Sequence, residues 1–272
     1  MPPAQPVLFL HANGYPAGVH RQFLAALARH HPVGAIDVIA AAHGPGRDWR
    51  NLLTQVLARV DALPDEPLAL VGHSMGGYLA AMAAARRPMR VAQVVLIDAP
   101  LVGGWRGAVL TASHASGLSR KVGPAPIAAR RRMHWPSRED ARRHLADKPF
   151  VQRWAPGVLD DFLAAALTDH PDGGVTLTIA REAERDIYAT LAHRAALRAV
   201  RTLRRRGTPI GFVAGSQSDE LRLAGRDANR AFWGEDWREL DTHHLIPFEQ
   251  PEACADAVTA HLARHHANVM RP

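Results

Sequence analysis

The chain has 272 residues, 47% of them hydrophobic, a net charge of +7 and one cysteine. That length suits one domain with a sizeable core, and the composition is that of a globular chain, not a disordered or fibrous one. No apolar run approaches the roughly 20 residues of a membrane-spanning helix, and a lone Cys254 excludes an internal disulfide.

Short apolar runs alternate with longer stretches of helical periodicity. The run 7–10 reads as a buried strand, followed by a helix over 18–31 with Phe23, Leu24 and Leu27 on one face. A strand at 35–39 precedes a helix over 48–62, where Leu52, Leu53, Val56, Leu57 and Val60 recur at helical spacing. The apolar run 68–72 leads through Gly72-His73-Ser74-Met75-Gly76 into an Ala-rich helix, Tyr78 to Arg86, and a further strand covers 91–97. Strands at 209–214 and 237–241 lead into helices over 220–232 and 252–266. Six strands alternating with helices predict an α/β fold with a mostly parallel central sheet flanked by helices.

Residues 101–195 break the alternation. Helical stretches are expected at 124–133, 137–147, 156–168 and 181–192, with little strand-like sequence. This segment reads as a helical cap inserted after the fourth strand, and 1–100 with 196–272 as the core. Trp105, Trp135, Phe150, Trp154, Phe162 and Tyr188 belong to it; most are expected to form the cap's own core, with one or two facing a pocket. Tyr15, Trp135 and Trp154 are the candidate substrate contacts.

A Gly-x-Ser-x-Gly between a strand and a helix has a physical rationale. The turn is tight enough that only small residues fit two before and two after the Ser, and it lifts the hydroxyl above the sheet edge. The helix behind aims its first N–H groups at the same spot. A Ser hydroxyl needs a base, and the base an orienting carboxylate. In a parallel sheet the strand C-termini share one edge, so Ser74, Asp219 (after the strand at 209–214) and His244 (after the last strand) can converge there. The N–H groups of Met75 and Asn13, the latter in the loop after the first strand, are the expected oxyanion donors. Asp98 follows a strand too and is the rival acid, otherwise a loop-bracing carboxylate. His243 competes with its neighbour His244. His11 is read as a brace for its loop, His73 as a packing or hydrogen-bonding residue, Asp241 as a strand-end charge and Cys254 as a small buried residue.

Four segments carry a family resemblance: Phe9-Leu10-His11-Ala12-Asn13-Gly14, Gly72-His73-Ser74-Met75-Gly76-Gly77, Gly215-Ser216-Gln217-Ser218-Asp219 and His244-Leu245-Ile246-Pro247-Phe248-Glu249-Gln250-Pro251. Together they resemble the α/β-hydrolase superfamily, in a subgroup with His-Ala-Asn-Gly after the first strand. The resemblance implies an α/β-hydrolase fold with Ser74 as nucleophile, Asp219 as acid and His244 as general base. The expected activity is carboxylic ester hydrolysis through an acyl-enzyme on a small-molecule substrate. A C–C bond hydrolase or thioesterase on the same triad, or a non-catalytic ligand-binding protein on this scaffold, is the alternative. Some family members take their acid from the strand ending at Asp98. Only six residues precede Val7, so the family's usual leading hairpin is expected to be absent and the sheet to hold about six strands.

The positive charge is unevenly placed. Residues 101–206 hold 19 Lys and Arg against 10 Asp and Glu; the remainder holds 14 against 16. No recognition motif accompanies the basic segment, so no nucleic-acid partner is expected; it reads either as an Arg-rich solvated surface or as a field over the site's mouth. No cofactor and no metal is expected: among 16 His, the nearest approach to a ligand pair is His261 with His265, beside His266, read as a solvated helix face. Residues 1–6 lack a basic cluster and an apolar segment, so a cytoplasmic location is expected. A homo-oligomer is compatible with everything above.

Overall fold

A computed structural model describes residues 4–40 and 49–269, with side chains to 264. Six strands form one parallel sheet: β1 (Val7–Leu10), β2 (Val33–Ala35), β3 (Leu68–His73), β4 (Val91–Ile97) and, after a long excursion, two more. The excursion carries three short strands, β5 (His134–Trp135), β6 (Leu167–Asp169) and β7 (Val175–Leu177); the sheet then resumes with β8 (Ile210–Gly215) and β9 (Trp237–Leu240). The order across the large sheet is β2-β1-β3-β4-β8-β9, every neighbouring pair parallel. All six expected strands are present. The second is shorter and earlier than 35–39: it pairs only with β1, as an edge strand would.

Alternation along the central strands divides the core in two. Leu8, Leu10, Leu68, Leu70, Val94 and Leu96 point to one face. There they pack with helices α2 (Trp49–Asp61) and α3 (Met75–Arg86). Val7, Phe9, Ala69, Val71, Val95 and Ile97 point to the other, covered by α1 (Arg21–Ala28) and the C-terminal helix Pro251–Val269. Because both faces are covered, the strands read as unbroken apolar runs.

Between β4 and β8 lie α4 (Gly104–Ala115), α5 (Pro124–Ala129), α6 (Arg138–Ala146), α7 (Val158–Ala165), α8 (Arg181–Ala189) and α9 (His193–Arg205). The expectation of little strand here is corrected: β5, β7 and β6 form a small antiparallel sheet. Each strand has only two or three residues, too few for alternation to register. α9 packs chiefly against α3, within the helical layer on that face of the sheet, while its first residue, His193, also reaches Gly107 and Thr111 of α4 at 3.2 Å each. Trp135, Phe162 and Trp154 build a third cluster that reaches Val19 and Phe248. After β8 come α10 (Asp219–Ala224) and α11 (Arg226–Trp233), separated by Gly225 at φ +100°, where one helix over 220–232 was expected. α12 (Ile246–Glu249) and α13 (Pro251–Val269) complete the chain. His261 is not solvated: it is 3% exposed, lying where a side chain on Gly211 would stand. The side chains of His265 and His266 lie outside the described residues.

Candidate active site

Ser74 sits at φ 54°, ψ −114°, one of two described non-glycine residues with positive φ; the other is Asp98 at φ 39°. Such angles cost of order 1–3 kcal/mol each and persist only where the surroundings impose them. The surroundings are visible in the glycines. A Cβ on Gly72 would lie 2.2 Å from the Gly76 carbonyl group, one on Gly76 would lie 2.0 Å from the Leu10 carbonyl oxygen, and one on Gly77 would lie 2.6 Å from Ala99 Cβ. All three therefore have to be glycine for β3, α3, β1 and β4 to close around the turn. The Ser74 N–H donates to the Ile97 carbonyl at 2.8 Å, tying the elbow to the end of β4.

His244, in the loop after β9, faces that serine. Its Nε2 is 3.0 Å from Ser74 Oγ, and its Nδ1 is 2.6 Å from Asp98 Oδ2. Asp98 is fully buried at the end of β4 and accepts two further hydrogen bonds, from Ser218 Oγ at 2.5 Å and from the Gly215 N–H at 3.2 Å. The structure thus brings Ser74, His244 and Asp98 together. Asp219 is not among them: it opens α10 with its side chain 75% exposed and bound to Arg222 at 2.9 Å. Ser218, one residue earlier, caps α10 by accepting from the Leu221 N–H and turns its hydroxyl onto Asp98. In Gly-Ser-Gln-Ser-Asp the cap residue, not the acid, reaches the imidazole's partner. The Ser-Asp-Glu-Leu sequence is a helix-start signature, and that was the signal available for this placement.

The two histidines after β9 separate cleanly. His243 donates its backbone N–H to Glu249 at 3.0 Å and lies 3.2 Å from the same carboxylate through Nδ1. The loop carrying both passes so close to β8 that a Cβ on Gly215 would lie 2.3 Å from the His243 carbonyl oxygen. His73 Nε2 lies 3.0 Å from the His244 carbonyl, which can only accept, and His73 Nδ1 lies 3.2 Å from His20 Nε2. Burial pushes His73 down to about 3 and His20 well below the ordinary histidine value. Both are neutral at pH 7, so the chain runs His20 Nε2–H to His73 Nδ1 and His73 Nε2–H to the carbonyl of His244. His73 thus braces the backbone of the imidazole that contacts Ser74. His11 braces its loop as expected, with Nε2 accepting the Ile39 N–H at 2.6 Å and burial holding it down at about 4.

Burial alone would lower His244 too. The opposing carboxylates outweigh it: Glu220, 3.7 Å from Nδ1, then the hydrogen bond and charge of Asp98, and more weakly Glu249, raise it to about 9. Glu220 was not anticipated; it follows Asp219 and turns to the site where Asp219 turns to solvent. Asp98, Glu220 and His244 are also the described residues whose ligand atoms could surround a cation, all within 4.8 Å. The carboxylate of Asp98 is already committed to Ser218, Gly215 and His244, which fits a hydrogen-bonded network better than a metal centre.

Above Ser74 opens a cavity of about 430 Å³ whose wall includes Asn13, Met75 and His244. Met75 begins α3, so its N–H is one of the unpaired donors of a helix start. The Asn13 side chain donates to the Glu184 carbonyl of α8 at 2.9 Å, and a Cβ on Gly14 would meet the Glu184 carboxyl, itself paired with Arg131 at 2.8 Å. The inserted segment therefore fixes the loop after β1. The three residues expected from sequence as substrate contacts lie elsewhere. Tyr15, Trp135 and Trp154 stand apart from the cavity wall: Trp135 is 1% exposed within the cap, and Tyr15 and Trp154 pack on Phe162 and Phe248. Trp49, Tyr78, Trp105, Ile187, Tyr188 and Leu191 supply the apolar wall instead. Their position in segment 101–195 had already grouped Trp105 and Tyr188 with its other aromatics, without saying which face the cavity.

Comparison with known proteins agrees with this architecture. A family model described as "Alpha/beta hydrolase family" matches residues 7–257. A protein of indica rice named "Probable esterase PIR7A" is 37% identical over 115 residues, 38% of this chain and 43% of that protein. An Alternaria alternata abhydrolase domain-containing protein is 26% identical across 71% of this chain and 82% of its own length. The chain spans less than half the length of the first curated relatives it matches. Among solved structures, an E-2-(acetamidomethylene)succinate hydrolase superposes with a TM-score of 0.70 at 19% identity, covering 95% of this chain and 91% of that one. The chain belongs to the alpha/beta hydrolase family.

Proposed function

We propose that the protein is a serine hydrolase that cleaves carboxylic esters of small, largely apolar molecules. One observation carries the reading: Ser74 Oγ, on a strained elbow at the floor of a cavity, lies 3.0 Å from an imidazole whose other nitrogen is 2.6 Å from a buried carboxylate. Ser74 Oγ attacks the acyl carbon while His244 Nε2 takes its proton. Asp98 Oδ2 accepts from Nδ1–H, fixing the tautomer and stabilising the imidazolium that forms. The N–H groups of Met75 and Asn13 receive the oxyanion. The imidazolium then protonates the leaving alcohol, and a water deprotonated by His244 attacks the acyl-enzyme and releases the acid. Ser218, Glu220 and His73 position or tune the imidazole without touching the reacting atoms. Residues 101–195 act as the cap that excludes water and shapes the acyl pocket. This chemistry draws on the chain's own side chains and backbone N–H groups with water, and asks for no cofactor.

A panel of p-nitrophenyl esters of increasing acyl length, run on wild type and Ser74→Ala, tests the reading. Turnover of short to medium chains with near-complete loss in Ser74→Ala is expected. Wild-type rates in Ser74→Ala would end it.

A further inference from the structure

The cap exposes apolar surface where a self-contained domain would hide it. Among the described residues eight large hydrophobic side chains are exposed, and six belong to elements around the cavity mouth. Trp105 and Val109, one turn apart on α4 and 68% and 59% exposed, line the mouth together with Leu223 of α10. Leu118 and Val122 flank a short turn that packs on α4 and α5. Pro124 at the start of α5 also lines the cavity, and Ile127, three residues on and 74% exposed, continues the same side of that helix. α4 itself has one buried residue in twelve, Gly107, so a broad face of it meets solvent. Scattered exposed hydrophobics need no explanation, but a patch gathered around a site's entrance does.

The charge of the same segment is one-sided. From Ala99 to Arg138 the sequence contains seven Arg and Lys and no Asp or Glu. Arg106 stacks on the Trp105 ring at 4.5 Å beside the mouth, Lys121 stands between Leu118 and Val122, and Arg130 ends α5. Large apolar side chains interleaved with cations, with no acid on these three elements and Arg120 among the cations paired to Asp186 of α8 at 3.3 Å, match acyl chains beneath negatively charged headgroups. We infer that the face formed by α4, the Leu118–Val122 turn and α5 docks on anionic phospholipid bilayers, placing the mouth of the Ser74 cavity against the membrane. On the esterase reading, an apolar ester dissolved in the bilayer then passes into the cavity without crossing water. A protein partner seated on the same face would instead cover the entrance.

The docking stands on the cap surface and is testable apart from catalysis. Full-length Ser74→Ala protein is sedimented with vesicles of phosphatidylcholine alone and of phosphatidylcholine mixed with phosphatidylglycerol. Binding to the mixed vesicles is expected, weakening steeply with salt, with little on phosphatidylcholine alone. The five other tryptophans are 8% exposed or less, so a blue shift and protection from acrylamide on binding report Trp105. Lys121→Gln with Arg130→Gln should lower partitioning about 25-fold, about five-fold per charge, while leaving hydrolysis of a soluble short ester unchanged. Absence of binding to anionic vesicles at low salt, equal binding to neutral ones, or a Trp105 still quenched in the bound state would each overturn the docking and leave the esterase reading standing. A soluble-ester assay without turnover would overturn the esterase reading and leave the docking standing.

Discussion

Replacing Glu220 by Gln removes the negative charge nearest the His244 imidazole apart from Asp98, while keeping the side chain's size. The separation is 3.7 Å, and half the Glu220 side chain, 51%, is in solvent. At an effective permittivity near that of water, two unit charges at that distance interact by about 1 kcal/mol; the exposure argues against any larger figure. Since about 1.4 kcal/mol corresponds to one pK unit, the imidazole should fall by somewhat under one unit from about 9. The sign follows from which form the charge favours. Glu220 stabilises imidazolium, and the proposed base is neutral imidazole, so its removal raises the fraction of active enzyme below pH 9. The assay is kcat/KM against pH on a soluble p-nitrophenyl ester, whose acidic limb reports the free enzyme. In wild type the rate should climb toward pH 9. In Glu220→Gln the limb should move to lower pH by a little less than one unit, with a gain of about five-fold at pH 7. A limb that stays in place or moves upward would refute the coupling between Glu220 and His244.

Asp98→Asn should cost on the order of 10³–10⁴ in kcat, the scale of losing the orienting acid of such a triad, whereas Asp219→Asn should leave kcat within about two-fold, since Asp219 holds only Arg222 at the surface; the same ester assay compares them. Ser218→Ala should lower kcat with little change in KM, because it strips one hydrogen bond from the carboxylate that holds the imidazole; a change confined to KM would contradict that role. Gly76→Ala forces a methyl group onto a backbone carbonyl at 2.0 Å, while Gly34→Ala meets nothing nearer than 4.0 Å. Thermal unfolding should show Gly76→Ala losing about 3 kcal/mol or more, roughly 6–12 °C in Tm, and Gly34→Ala shifting little.

The fold was legible because its signals are local and repeated. Both faces of the sheet are covered, so its central strands are apolar runs, and the helices between them keep their spacing. The elbow was legible because three glycines around Ser74 answer to a steric need that no other residue meets. His244 was legible through the Leu-Ile-Pro that follows it and opens α12. The acid was not. Asp98 and Asp219 each follow a strand, and only the packing of β8 against β4 decides between them: it buries Asp98 beneath the His244 loop and leaves Asp219 on the outer side of α10. Choosing between two carboxylates at one sheet edge depends on side-chain direction across 146 residues of sequence separation, which no local pattern encodes. α4 escaped notice because Gly104 and Gly107 interrupt a stretch with a single buried position. The wall of the cavity was illegible for a related reason. An aromatic in the inserted segment reads alike whether it faces that segment's own core, as Trp135 does, or the cavity, as Trp105 does.

Covalent capture tests most directly whether Ser74 is a nucleophile activated by His244. Wild-type protein, Ser74→Ala and His244→Ala would be treated with a fluorophosphonate at neutral and alkaline pH, digested and mapped by mass spectrometry. The expected result is one adduct, on the peptide carrying Ser74, absent in Ser74→Ala, strongly slowed in His244→Ala and forming faster in wild type as pH rises toward 9. An unlabelled Ser74 in folded wild-type protein, or labelling at the same rate without His244, would contradict it.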